Sequence, residues 1–156
     1  ASVLINFANI DRFDLLAKLP GHQFVVPEEV HEEVTWPDQA ARLAAAIAFG
    51  HLRIESATDL AEIALASTIR QSFDRGESAC LAMAQHRGWS IGCDERGSFL
   101  HAVHRQLGNG RLINTPGLLV LAIRANLIDP QAADQFKAVL ERHRFRMPFT
   151  SFGEFA

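Results

Sequence analysis

Residues 89–95 read WSIGCDE, a short apolar run that passes without a turn into two acidic residues, Asp94 and Glu95. The run predicts a buried strand, and the helical spacing of apolar residues from about 97 to 107 predicts a helix after it. In parallel α/β sheets, ligands bind in the crevice outside the carboxyl ends of the strands. Asp94 and Glu95 are therefore predicted to border such a crevice.

The same alternation of strand and helix extends from this segment towards both ends of the chain. Other predicted strands cover residues 24–26, 52–54 and 111–113. Helices are predicted at 3–19 with a break near 11, and at 28–34, 39–49, 58–69, 77–86, 115–123 and 129–142. Such alternation is typical of a parallel sheet with helices on both faces. We expect a three-layer α/β/α domain with a mainly parallel central sheet, on which the tail at 145–155 packs.

Length and composition predict one domain over residues 1–156. The chain has 156 residues, 48% of them hydrophobic, which is enough to bury a substantial core. The sequence contains no linker, internal repeat, signal peptide or apolar span of about 18 residues. Cys80 and Cys93 are too few for a disulfide framework, so we expect reduced thiols in a cytoplasmic protein that does not enter a membrane.

The charge balance argues against a protein that holds nucleic acid by bulk electrostatics. The formal net charge is −3 with the seven histidines taken as neutral, whereas such proteins carry a basic surface. Any nucleic-acid substrate must therefore be bound locally or through a metal. Arg142, Arg144 and Arg146 cluster near the end of the chain, where a solvated basic edge is the simpler interpretation.

Acidic residues recur at other positions that a parallel sheet brings towards the same crevice. Glu33 lies in the helix after the first predicted strand, and Glu77 lies at the start of a later helix. With Asp94 and Glu95 they form a predicted carboxylate cluster. Like charges at short range repel unless a cation lies between them, and oxygen ligands suit Mg²⁺ and Mn²⁺. The residues alone thus indicate metal-assisted phosphodiester chemistry.

Each candidate residue also has a structural interpretation. Asp94 can cap the following helix, and Glu77 can stabilise a helix start through the macrodipole. Glu33 lies late in its helix, where the macrodipole disfavours an anion, so a ligand role remains a strong alternative. Thr115 can cap the helix that it begins, or it can hydrogen-bond a phosphate or a metal-bound water.

Other catalytic motifs have little support. His31 and Glu32 resemble the start of a zinc-protease helix, but Thr35 stands where the second histidine is required. His101 and His104 share a helix face without a third ligand, which favours exposed histidines over a metal site. The sequence contains no nucleophile elbow and no phosphate-binding or dinucleotide-binding glycine loop, so acyl, nucleotide phosphoryl and hydride transfer are not supported.

Five segments in order resemble PIN-domain ribonucleases. They are residues 2–5 (SVLI), 26–34 (VPEEVHEEV), 76–82 (GESACLA), 93–95 (CDE) and 114–119 (NTPGLL). No single segment is specific, but their order and spacing resemble the family over nearly the whole chain. The chain is most similar to small prokaryotic members related to the toxins of virulence-associated toxin–antitoxin operons.

The resemblance implies a function and a set of site residues. The metal-binding and catalytic residues that it implies are Glu33, Glu77, Asp94 and Glu95, with Ser2 and Thr115 in supporting roles. They would bind Mg²⁺ or Mn²⁺, which activates water for attack on an RNA phosphodiester. The resemblance further implies a homodimeric toxin with an RNA substrate and a small antitoxin partner. The alternative is a catalytically weak PIN-like module that binds RNA or a protein.

The resemblance also implies residues before Ala1. In the family, an apolar strand central to the sheet ends in an aspartate immediately before the position of Ala1. We therefore expect such a strand and an acid to precede Ala1. An aspartate there would favour the nuclease, whereas an asparagine or an apolar residue would favour the binding module.

Overall fold

The computed structural model describes residues 1–155, which fold into nine α-helices, four short strands and one 3-10 helix. The helices are α1 (Ser2–Ile10), α2 (Phe13–Lys18), α3 (Glu28–Glu33), α4 (Pro37–Phe49), α5 (Leu60–Ile69), α6 (Arg75–Arg87), α7 (Ser98–Leu107), α8 (Thr115–Arg124) and α9 (Pro130–Arg142). The strands are β1 (Val25–Pro27), β2 (Arg53–Glu55), β3 (Ile91–Gly92) and β4 (Leu112–Ile113), and the 3-10 helix is Phe152–Phe155. The predicted α/β fold class is confirmed.

Acidic and amide side chains set the starts of four helices. The residues whose side chains accept a hydrogen bond from the first turn are Asp59, Asp74, Asn114 and Asp129. The helix predicted from residue 58 begins at Leu60 because Asp59 is its cap, and the helix predicted from 77 begins two residues earlier because Asp74 caps it. Within residues 1–155, none of the helices is long and apolar enough to cross a bilayer.

The strands pair in two separate parallel ladders. Val26 of β1 lies opposite Ile54 of β2, and Ile91 of β3 lies opposite Leu112 of β4. In the described residues the expected central sheet is therefore divided into two sheets of two strands each. The strand predicted at 89–93 is also shorter than expected, since β3 comprises Ile91 and Gly92, although the Cys93 nitrogen still donates to the Ile113 carbonyl at 2.9 Å.

An apolar groove lies between the two ladders. It encloses a cavity of about 120 Å³ that is lined by Val26 of β1 and by Ile91 and Gly92 of β3, and Ala1 also lines it. Among residues 1–155, no strand lies between β1 and β3. The strand and the acid that are expected before Ala1 lie outside the described residues.

Two hydrophobic clusters hold the helices around these strands. The larger cluster joins α1, α2, α4, α8 and α9 with the tail, and includes the fully buried Phe7, Leu118 and Phe152. The smaller cluster joins α6, β3 and α7 through Leu81 and Val103, both 0% exposed. Full burial of one such side chain contributes roughly 1.5–3 kcal/mol. Since α6 and β3 share the smaller cluster, it fixes the helix that carries Glu77 and the strand that leads to Asp94.

The tail packs back on the body, as predicted. The rings of Phe149 and Phe152 meet edge to face with their centroids 4.9 Å apart. Asp134 of α9 accepts hydrogen bonds from the Phe152 backbone nitrogen at 2.7 Å and from the Ser151 hydroxyl at 2.6 Å. These bonds hold the pKa of Asp134 below its ordinary value, because the Ser151 hydroxyl and then the Phe152 amide favour the ionised carboxylate.

Candidate active site

Three of the predicted acids line one cavity, which lies where α3 and β3 end and α6 begins. The cavity has a volume of about 220 Å³ and is lined by Glu33, Glu77 and Glu95, together with Asp74. Glu33 is the last residue of α3, Glu77 lies in the first turn of α6, and Glu95 follows β3. Three of the four predicted ligands thus share one cavity, and Asp94 is directed elsewhere.

Glu33 lies between two helix ends. Its side chain is 36% exposed, and its Oε2 atom lies 3.9 Å from the backbone nitrogen of Ala1. Its carboxylate rests against Gly76, the second residue of α6. The end of α3 disfavours an anion there, but the start of α6 favours one, so the second helix offsets the cost imposed by the first.

Glu77 combines a structural role with a place in the cavity. Its backbone nitrogen donates to Asp74 Oδ1 at 2.8 Å, and its Oε2 accepts from the Asp74 backbone nitrogen at 3.3 Å, which forms a capping box. Burial raises the pKa of Glu77 above its ordinary value, and the charges of Asp74, Glu95 and Glu33 raise it further. The hydrogen bond from the Asp74 backbone opposes this shift.

Asp94 is fixed by donors from α1 and α8. Its Oδ1 accepts from the Thr115 backbone nitrogen at 2.7 Å, and its Oδ2 accepts from the Thr115 hydroxyl at 2.6 Å and from Asn6 Nδ2 at 3.0 Å. Its own backbone nitrogen donates to Ser2 Oγ at 3.0 Å. Asp94 does not cap the following helix, which begins after Gly97. It contacts the N-terminus of α8 instead, where its charge complements the dipole.

Ser2 and Thr115 both support Asp94, because Ser2 accepts from its backbone nitrogen and Thr115 donates to its carboxylate. Thr115 is 0% exposed and does not cap α8, because Asn114 takes that position and accepts from the Gly117 nitrogen at 2.9 Å. The cap alternative for Thr115 is therefore wrong. Its hydroxyl is committed to Asp94, so its direct role is to orient a carboxylate.

Asn6 is a site residue that the sequence reasoning missed. It is only 5% exposed, and its amide also donates to Thr115 Oγ1 at 3.3 Å. The sequence did contain a signal, since Asn6 interrupts the apolar face that Val3, Phe7 and Ile10 form on α1. A polar side chain on a buried helix face needs a partner, and here the partners are Asp94 and Thr115.

The two cysteines form an uncharged part of the cavity wall. Burial raises the pKa of Cys80 to about 12 and that of Cys93 to about 11, so both remain protonated thiols near neutral pH. The Cys93 sulfur accepts from the Glu95 backbone nitrogen at 3.2 Å. Thiol sulfur suits softer metals than Mg²⁺ or Mn²⁺, for which the carboxylate oxygens of this cavity are the better donors.

The chemistry of these donors fits a hard divalent cation. Within residues 1–155, no three His, Cys, Asp or Glu side chains are placed to hold one ion together. Burial, and after it the charges of the neighbouring carboxylates, nevertheless raise the pKa of Glu77, and a cation among these carboxylates would relieve their repulsion. Oxygen donors suit Mg²⁺ or Mn²⁺, which can retain water ligands where protein donors are few. His101 and His104 are both exposed and lie outside the cavity lining.

Comparison with known proteins identifies the family of this chain. A family model described as a PIN domain matches residues 1–155. The chain belongs to the PIN-domain family. The predicted family is thus confirmed over the whole described chain. No curated protein and no solved structure gave a match.

Membership of the PIN-domain family indicates a nuclease-type function. PIN nucleases generally use divalent metals, in agreement with the oxygen donors around the cavity. The family does not by itself specify the nucleic acid that this PIN domain acts on. The role of each acid likewise depends on the geometry described above.

Proposed function

We propose that this PIN domain is a Mg²⁺- or Mn²⁺-dependent endoribonuclease, and the toxin of a toxin–antitoxin pair. The observation that carries the proposal is the cavity shared by Glu33, Glu77 and Glu95, beside which Asp94 is held in one orientation. Burial and the neighbouring carboxylates raise the pKa of Glu77, and catalytic sites frequently contain a carboxyl group with a raised pKa.

Glu33, Glu77 and Glu95 would hold the cation in the cavity through carboxylate oxygens, directly or through its water ligands, and Asp94 would reach it from beside the cavity. When bound, the cation lowers the pKa of a water ligand and stabilises the charge that develops on the phosphate. A carboxylate offers about four lone-pair positions. In Asp94, Asn6 and the Thr115 hydroxyl occupy both positions on Oδ2, and the Thr115 amide occupies one on Oδ1. Asp94 therefore presents a single free position, on Oδ1, to a ligand.

Single-stranded RNA is the proposed substrate, by resemblance to the family. The net charge of −3 gives the chain no general attraction for a polyanion. Binding must then depend on the cation and on contacts close to the cavity. We therefore expect RNA affinity to be weak in the absence of the metal.

The groove between β1 and β3 supports the expectation of a further strand. Its walls are apolar, and in the described residues each of these strands has a neighbour on one side only. A parallel strand in the groove would join both ladders into one sheet. The residue bonded to the Ala1 nitrogen would lie near Glu33, since that nitrogen is 3.9 Å from Glu33 Oε2. An acid at that position would be a further ligand.

The proposed partner is a small antitoxin that covers the acidic cavity. An arginine or lysine side chain from the antitoxin would pair with the carboxylates in the manner of the cation. The homodimer is proposed by family resemblance. Co-expression with a candidate antitoxin encoded beside the gene should restore growth and block RNA cleavage, and unchanged growth and cleavage would argue against a toxin.

The nuclease is tested with labelled single-stranded RNA and the purified protein. Cleavage should require Mg²⁺ or Mn²⁺, stop on addition of EDTA, and be lost in Asp94→Asn. Glu141→Gln is the matched control, because Glu141 lies on α9, is not among the residues that line the cavity, and pairs with Lys137. Cleavage by Asp94→Asn at the wild-type rate would show that Asp94 has no part in the reaction.

A PIN-like binding module with weak catalysis is the second candidate. The observation that favours it is the lack of three grouped donor side chains within residues 1–155. A module of this kind would bind the RNA equally well in EDTA and in Mg²⁺ and would leave it uncut. Fluorescence anisotropy under both conditions distinguishes the two functions.

A further inference from the structure

The Glu33 carboxylate occupies the space that a side chain on Gly76 would need. A Cβ atom added to Gly76 would lie 2.1 Å from Glu33 Oε1, 2.8 Å from its Cδ and 3.0 Å from its Oε2. The first two distances are far inside ordinary van der Waals contact, and the third is tighter than ordinary contact. Glu33 can therefore keep this position only while residue 76 has no side chain.

The backbone of α6 does not itself require glycine at this position. Gly76 is the second residue of the helix, and it does not belong to the glycines with positive φ, such as Gly50 and Gly88. Alanine is the better helix former in an ordinary helical conformation. The fold thus gives no local reason for glycine here, whereas the contact with Glu33 gives one.

We propose that Gly76 is a positioning residue. Because it has no side chain, it leaves the space in which the Glu33 carboxylate lies and faces the cavity. Its consequence for metal binding rests on the proposed function. The contact between Gly76 and Glu33 does not rest on the proposed function, because it depends only on the space between the end of α3 and the start of α6. The start of α6 also favours the negative charge that it receives.

Gly76→Ala should separate stability from metal binding. The added Cβ meets the flexible end of a side chain, so Glu33 should swing away and the backbone should stay in place. The denaturation midpoint should then be unchanged or higher, since alanine favours the helix. The affinity for Mn²⁺ should fall by roughly 10-fold to 100-fold, the usual effect of disturbing the support of a ligand.

A double-mutant cycle tests this role on four forms of the full-length protein: wild type, Gly76→Ala, Glu33→Ala and the double variant. Calorimetric titration with Mn²⁺ gives the affinities, and chemical denaturation in EDTA gives the stabilities. If Gly76 acts through Glu33, the double variant should bind Mn²⁺ as Glu33→Ala does. Wild-type affinity in Gly76→Ala would overturn the proposal, as would a double variant much weaker than Glu33→Ala.

A crystal structure of Gly76→Ala separates this proposal from the proposed function. If the wild-type protein neither binds Mn²⁺ nor cuts RNA, the proposed function fails. The positioning role is then judged on the coordinates alone. A displaced Glu33 carboxylate over an unchanged α6 supports it, and a carboxylate in its original place overturns it.

Discussion

The hydroxyl of Thr115 is expected to stabilise the fold mainly through Asp94. Thr115 is 0% exposed, and its Oγ1 donates to Asp94 Oδ2 at 2.6 Å. A hydrogen bond to an ionised group contributes about 1.5–3 kcal/mol to the free energy of unfolding. Thr115→Val removes this bond, but it leaves the 2.7 Å bond from the backbone nitrogen to Oδ1 in place.

A double-mutant cycle isolates this energy. In an Asp94→Ala background the hydroxyl has no carboxylate to bond and keeps the 3.3 Å bond from Asn6, so Thr115→Val should cost less there. The coupling energy between the two substitutions should therefore be about 1.5–3 kcal/mol. Guanidinium chloride denaturation in EDTA measures it, with Thr115→Ser as a control that keeps the hydroxyl and should keep most of the coupling. A coupling below about 0.5 kcal/mol, within the range of simple additivity, would refute the reasoning.

Three further predictions concern charge and the tail. Arg87→Leu should lower the free energy of unfolding by about 3–5 kcal/mol in chemical denaturation, because it leaves the carboxylate of Glu62, 1% exposed, without its guanidinium partner. The double variant Arg87→Leu, Glu62→Leu should recover most of the lost free energy of unfolding. The pKa of Glu77 is raised above its ordinary 4.5, so its ionisation should lower the free energy of unfolding as pH rises past that value. Chemical denaturation at a series of pH values should show this decrease in the wild type and not in Glu77→Gln. Asp134→Ala should increase amide hydrogen exchange at Phe152, because it removes the carboxylate that accepts the 2.7 Å bond from the Phe152 nitrogen.

The helices were predictable because their signals are local. The helix predicted to end before Gly50 does so, since Gly50 adopts φ 88° and takes the left-handed conformation that ends the helix. The helix predicted to open at Thr115 likewise begins there. Two of the boundaries that were wrong, at Leu60 and Arg75, depend on which of several polar residues caps the helix, and propensity alone does not rank these residues.

Strand pairing was less predictable because it joins distant residues. The short runs around Val26 and Ile91 were recognised as strands, and both pair in parallel. Their division into two ladders depends on what lies between β1 and β3, and no local pattern in residues 1–155 specifies that. The period of apolar residues predicts that a strand is buried, without naming its neighbour.

The candidate site was predictable in composition but not in geometry. The sequence indicated Glu33, Glu77 and Glu95, which line one cavity. The partners of Asp94 were not identified, since Asn6 is 88 residues away along the chain. Gly76 was noted only as part of a motif, because the need for an absent side chain becomes visible only when two helices are seen in contact.

The central claim is that this carboxylate cavity binds a divalent cation, and its most direct test is a crystal of the protein soaked in Mn²⁺. The anomalous difference map should contain a peak inside the cavity lined by Glu33, Glu77 and Glu95. The peak should lie about 2 Å from carboxylate oxygens, the usual distance for a small divalent cation. Saturating Mn²⁺ that leaves this cavity without a peak, or that gives one only elsewhere, would contradict the account.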